Sequence, residues 1–346
     1  MRDFIVLVYL IPMLLLIACD RPTSIDTEVT SPNPFAAVET IADSIRVGDM
    51  VIHNGFKFQV LAGRAEGGFD SLMIRDKLYA PNRQAFDNCL SMIFGEENAG
   101  KFQLPGMYAW NKTLHTDHGK LMAQKLSLLD TVNLNELFTS HLTALQTLTE
   151  RRGHGRWMVY FGPPDFQIFG GCDNNSMILD MFGDSWNAAD INDLFAHELE
   201  HLIFGPIAEK DVHGATGLGI TLDEGLAVYY TYKYLNQSRE EALYQQNTAI
   251  LMQREKEIFE KLQPYLFKTS EEGCPIFRHC GRTNECPPLI EGLPEKLEGE
   301  LCYFLGFRII EQYVERHGPD AWKDLYTTPF KVFYEQSGYA EYVQRL

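Results

Sequence analysis

The sequence predicts an α+β fold, and three observations carry that expectation. Two strand-like runs, residues 157–161 (WMVYF) and 176–181 (SMILDM), precede a series of segments with helical spacing. Strands followed by helices, without regular alternation, is the α+β pattern. Upstream, two short apolar runs flank Asn54-Gly55 and read as a β-hairpin over 49–63. The composition is that of a globular chain: of 346 residues, 45% are hydrophobic and 12% aromatic, enough for one large core or two modest ones. With 27 Gly and 16 Pro the chain is not collagen-like or low-complexity. A net charge of −17, from 47 acidic against 30 basic residues, argues against a nucleic-acid partner.

Taken in order, the chain begins with 15 apolar residues, Phe4 to Ala18. This is short of the roughly 20 residues that a spanning helix needs. The run ends in Leu16-Ile17-Ala18-Cys19, which resembles the lipobox of bacterial lipoproteins. That resemblance implies removal of residues 1–18 as a signal peptide. It also implies acylation of Cys19, a membrane anchor through its lipid and a place in the bacterial cell envelope, facing the periplasm or exterior. No other run of 18 apolar residues exists. Residues 19–38, rich in Pro, Ser, Thr and Asp, read as a flexible tether.

Residues 39–155 form a mixed α/β N-terminal region of unassigned role. It holds the hairpin, a helix over 81–94 and a helix over 134–151, with Asn133 and Glu136 as a capping box. Gly153 and Gly155 mark a boundary, and 156–346 reads as a second domain. There the strands at 157–161 and 176–181 lead to a helix over 188–204, closed by Gly205-Pro206. A Gly-rich loop (213–219), a helix over 221–235 and a long charged helix over 238–262 follow. A Cys- and Pro-rich loop over 264–294 and a helix over 299–316 complete the order. Apart from Cys19, six cysteines remain, an even number that fits disulfides in an oxidising compartment.

The chemistry concentrates in Phe195-Ala196-His197-Glu198-Leu199-Glu200-His201. His197 and His201 are four apart, so on a helix both imidazoles leave one face, as two ligands of one tetrahedral Zn²⁺ require. A carboxylate at Glu198 is placed to take a proton from the metal-activated water. A third ligand is needed. Glu224 is the first candidate, because Gly225 beside it allows close approach. Asp223 and His213 are alternatives, and Thr221-x-x-Glu224 also reads as a capping box.

HELEH followed by Asp223-Glu224-Gly225-Leu226-Ala227 resembles the gluzincin metallopeptidases, the thermolysin-like superfamily. More narrowly, it is similar to a bacterial group of predicted zinc-dependent proteases. The shared features also include Gly170-Gly171-Cys172, Met177 to Asp180, and Tyr303 to Arg308. The resemblance covers about 157–318. It implies a zincin-like domain: a small sheet with an edge strand, the HExxH helix and a C-terminal helical subdomain. It implies His197, His201 and Glu224 as ligands of one zinc ion and Glu198 as general base. Met177, Ile178, Leu179 and Asp180 would be the edge strand that pairs with a peptide or protein substrate. Tyr303 is the first choice for stabilising the oxyanion, with Tyr229 and Tyr230 as rivals. The superfamily often carries an Asp four residues past the ligand Glu to orient a ligand His. Val228 stands there, so another group must do that work. The expected function is a membrane-anchored zinc peptidase. The alternative is a non-catalytic envelope lipoprotein that uses the same fold as a binding or assembly module.

Overall fold

The computed structural model describes residues 33–346 except 132–133, 164–165, 167–168, 174–175, 183–187, 244–246, 270–289, 294–296 and 298–300. Cys19, the signal segment and most of the tether lie outside the described residues, as does most of the Cys-rich loop. Among the described residues, no helix is long and apolar enough to cross a membrane.

The fold is α+β. One five-stranded sheet has the order β1-β2-β3-β5-β4, with β1 Ser44–Val47, β2 Asp49–Asn54, β3 His154–Tyr160, β4 Phe169–Asp173 and β5 Ser176–Asp180. The pairs β1/β2 and β4/β5 are antiparallel, while β2/β3 and β3/β5 are parallel. Both faces of the central strands are covered. Trp157, Val159 and Leu179 join Phe195 and Leu199 in one cluster. Met158, Tyr160 and Ile178 face Phe86, Leu90 and Phe102 in another. Burial on two faces explains why β3 and β5 read as continuous apolar runs.

Several expectations need correction. The hairpin turns at Gly48, whose φ is +59°, and not at Asn54-Gly55. Residues Gly55–Gly63 form helix α1. Gly55 is there for close approach, since a Cβ would lie 3.2 Å from the Val159 carbonyl oxygen. Gln59 pins α1 to the end of β3: its amide donates to Phe161 O at 2.8 Å and its carbonyl accepts from Phe161 N at 2.7 Å. The boundary at 155/156 does not divide the structure. β2 lies directly beside β3, and residues 34–346 form one compact unit. That unit begins inside the expected tether, where Val38 is buried. The long helix over 238–262 is broken into Arg239–Ala242, Thr248–Gln253 and Glu255–Leu262. The Ser238/Glu241 capping box is present. Of the cysteines, Cys89 is disulfide-bonded. Cys302 is buried on α7, and Cys274, Cys280 and Cys286 lie outside the described residues.

Between β2 and β3 come helices α2 (Leu104–Thr131) and α3 (Leu134–Thr149). The C-terminal half is built on α4 (Ala188–Ala208), α5 (Gly217–Tyr234), α6 (Glu255–Leu262) and α7 (Leu301–His317). α4 runs through Gly205-Pro206, the expected stop, and Pro206 lies inside its last turn. α5 and α7 cross without side chains between them. A Cβ on Gly225 would lie 2.3 Å from Gly306 C, and one on Gly306 would lie 1.9 Å from Thr221 O. α7 is also tied to α6 by Arg308, which donates to Glu255 at 2.8 Å in the core.

Two predictions follow from this packing. Gly306→Ala should force α7 away from α5 and lower stability by about 1–3 kcal/mol, read from urea denaturation. His53 and His141 are held down to about 4 by burial, with the Arg156 charge adding to the effect at His53. Both stay neutral in the folded chain, whereas an unfolded histidine titrates at about 6.5. Their contribution is present above about 6.5 and lost as pH falls toward 4, on the order of 3 kcal/mol each. His141→Gln should therefore shrink the drop in melting temperature between pH 7 and pH 4.5.

Candidate metal centre

α4 buries Ile191, Phe195, Leu199 and Leu202. This packing turns His197 and His201 together toward α5. Their Nε2 atoms are 3.1 Å apart. Glu224 Oε2 lies 3.4 Å from His197 Nε2 and 3.3 Å from His201 Nε2. Three donors at the corners of a nearly equilateral triangle suit one small cation. Ligands held at about 2.0–2.1 Å in tetrahedral geometry are about 3.3 Å from each other. A second observation agrees: Glu224 Oε2 is buried and accepts no hydrogen bond. Such an orphan is costly unless something positive reaches it. The residues fit zinc, and the cluster is a candidate metal site.

The alternatives for the third ligand separate clearly. Asp223 Oδ1 lies 2.8 Å from His201 Nδ1. An Nδ1–H donated to that carboxylate leaves the Nε2 lone pair for a cation. Asp223 thus takes the orienting place that Val228 cannot fill. The ring of His213 packs on Phe267, centroids 5.4 Å apart, and is not in the cluster. Glu224 does not cap its helix. α5 starts four residues before Thr221, at Gly217, with Thr216 as its cap.

Glu198, next to the first histidine, is buried. Burial pushes its carboxyl up from the ordinary value, and the neighbouring His197 and His201 only partly oppose this. Strand β4 passes beside it, and a Cβ on Gly170 would lie 3.5 Å from both carboxylate oxygens. The strand at the sheet edge is therefore β4. Met177, Ile178, Leu179 and Asp180, expected there, belong to β5, with β3 on one side and β4 on the other. Their near-complete burial is that of an interior strand, while Gly170-Gly171 gave β4 little strand signal.

Tyr303 on α7 stacks on the His197 ring, with centroids 5.9 Å apart and planes at 21°. Tyr229 and Tyr230 are core residues. Tyr229 meets Phe307, and Tyr230 stacks on Tyr234. Sequence reasoning missed Glu200. It is fully buried, accepts from Tyr326 OH at 2.9 Å, and burial pushes its carboxyl up to about 8 against the pull of His201. Its i±4 neighbours, Ala196 and Phe204, are fully buried, which was the available signal.

The charges inside the cluster hold one another. Burial alone would raise the Glu224 carboxyl, but the charge of His201, and that of His197 behind it, bring it well below its usual range. Burial alone would lower His201, but Asp223 and Glu224 hold it well above. A proton on His201 therefore competes with any cation at the same corner.

Zinc content of the purified variants tests the donor set. Glu224→Ala should lose metal outright, and Asp223→Asn should bind it about 10–100-fold more weakly. Retention by Glu224→Ala with loss in Asp223→Ala would reverse the two roles. Comparison of the chain with family models, curated proteins and solved structures finds no match.

Proposed function

We propose that the chain is a zinc-dependent peptidase of zincin-like architecture. The observation that carries this reading is the triangle of His197, His201 and Glu224 donors, with sides of 3.1–3.4 Å, beside the buried Glu198 carboxylate. The mixed sheet with an antiparallel edge strand next to the HELEH helix supports it.

A zinc ion held by His197, His201 and Glu224 would supply Lewis acidity, lowering the pKa of water toward about 7 and polarising the scissile carbonyl. Glu198 accepts the proton of the attacking water and passes it to the leaving amine as the C–N bond breaks. Its upward-shifted carboxyl suits both halves of that transfer. An extended substrate pairs with β4, and Gly170-Gly171 lets its backbone come close to Glu198. Tyr303, stacked on His197, donates to the oxyanion that develops on the carbonyl. Asp223 keeps His201 in the ligating tautomer. Acylation of Cys19 would hold this unit at a membrane of the cell envelope.

Glu198→Gln is the test, since it keeps size and removes the base. Zinc content should stay at the wild-type level while hydrolysis of an unfolded protein substrate falls by about 10³-fold or more. Full activity in that variant overturns the proposal. Tyr303→Phe should lower kcat by about 10²–10³-fold with little change in KM.

A further inference from the structure

On the sheet face that carries Met158, a pocket of about 120 Å³ is lined by Asn82, Gln84, Arg156, Met158, Ser176 and Met177. We propose that it is a binding site for a small oxyanion, a carboxylate or phosphate group, held by the Arg156 guanidinium. This site does not rest on the zinc reading.

The argument starts from an unanswered cation. Arg156 Nε is shielded from solvent and has no hydrogen-bond partner among the described residues. Among the described residues, no carboxylate forms an ion pair with it. Burial is the sole cause acting on its pKa, which it lowers. Arg308, which is buried, shows what a settled arginine looks like. It donates to Glu255 at 2.8 Å and to Tyr342 OH at 3.0 Å, and it also bonds Glu311. Arg156 is half-buried, and its shielded Nε–H, cut off from water with no acceptor, costs more than a donor left in solvent. The fold sets Arg156 there by register, because β3 pairs Arg156 with Val51 on one side and Ser176 on the other.

The pocket has the size and lining for an oxyanion. Its volume admits several waters, and so has room for a carboxylate or phosphate group. The Ser176 hydroxyl and the Gln84 amide add neutral donors to the wall. Asn82 is already committed, with its amide bonded to Leu78 O at 2.7 Å and His53 Nδ1 at 2.9 Å, so it stiffens the wall. A guanidinium presents parallel N–H groups that match two oxygens of an oxyanion.

The test is calorimetric titration of the folded chain with acetate and, separately, inorganic phosphate, at an ionic strength fixed with chloride. One saturable site is expected, and the tighter of the two anions identifies the source of the oxyanion. Binding should weaken at least tenfold in Arg156→Gln. It should also weaken at least tenfold in Ala85→Met, since Ala85 also lines the pocket and the larger side chain fills it while leaving the arginine in place. It should be unchanged in Glu224→Ala, which separates this site from the metal cluster. Equal binding by Arg156→Gln, no binding by wild type, or loss confined to Glu224→Ala overturns the proposal. Loss in Arg156→Gln without loss in Ala85→Met assigns the binding to surface charge and also overturns it.

Discussion

Where α5 crosses α7 there is no room for a Cβ on either helix. Gly225 and Gly306 bring the two backbones into direct contact, and most of the candidate site is positioned by that contact. Glu224 immediately precedes Gly225, so its carboxylate is set by how deeply α5 sits. Tyr303 lies one turn before Gly306, so its ring height over His197 is set by the same crossing. Close-packed interiors transmit displacements of a few tenths of an ångström instead of absorbing them. The candidate metal donors on α4 and α5 and the tyrosine on α7 therefore depend on one steric constraint outside that donor set.

Charge is managed differently at the two ends of this assembly. In the support, Arg308 and Glu255 are paired and hydrogen-bonded on all sides, with Tyr339 also donating to Glu255 at 2.9 Å. In the centre, Glu198, Glu200, Asp223 and Glu224 gather round two histidines, and two carboxylate oxygens, Glu200 Oε2 and Glu224 Oε2, are buried with no hydrogen bond. The first arrangement satisfies its charges internally, as a structural pair must. The second leaves oxygens of Glu200 and Glu224 that no hydrogen bond satisfies. Clustered carboxylates of this kind mark functional centres, because they work against stability.

Much of this was legible in the sequence, and the failures have physical causes. The i,i+4 histidines and the apolar face beneath them are local features of one helix, and Glu224 was favoured because a glycine followed it. The α+β class followed from the order of β3, β5 and the helices. The orienting role of Asp223 depends on the rotation between α4 and α5, a tertiary quantity that no spacing encodes. The edge strand was misplaced because apolar strength marks burial, and the open edge is the strand with weak apolar signal, Gly170-Gly171. Asn54-Gly55 resembled a turn because glycine signals both positive φ and close approach, and here the second applied. The boundary at 155 failed because a sheet can recruit β1 and β2 across about a hundred intervening residues of helix.

The lateral position of β4 has a consequence for self-association. A strand edge open to a substrate is also open to another copy of itself, and unprotected edges seed aggregation. β4 carries two features that limit this. It is only five residues long, and its pairing with β5 shifts register between Gly171 and Asp173, which breaks the straight ladder a second copy would need. The same interruption shortens the regular backbone available to a true ligand. On the proposed peptidase reading, selectivity along β4 then falls to side-chain fit over a few residues, and the same short, interrupted edge offers little regular backbone to a second copy.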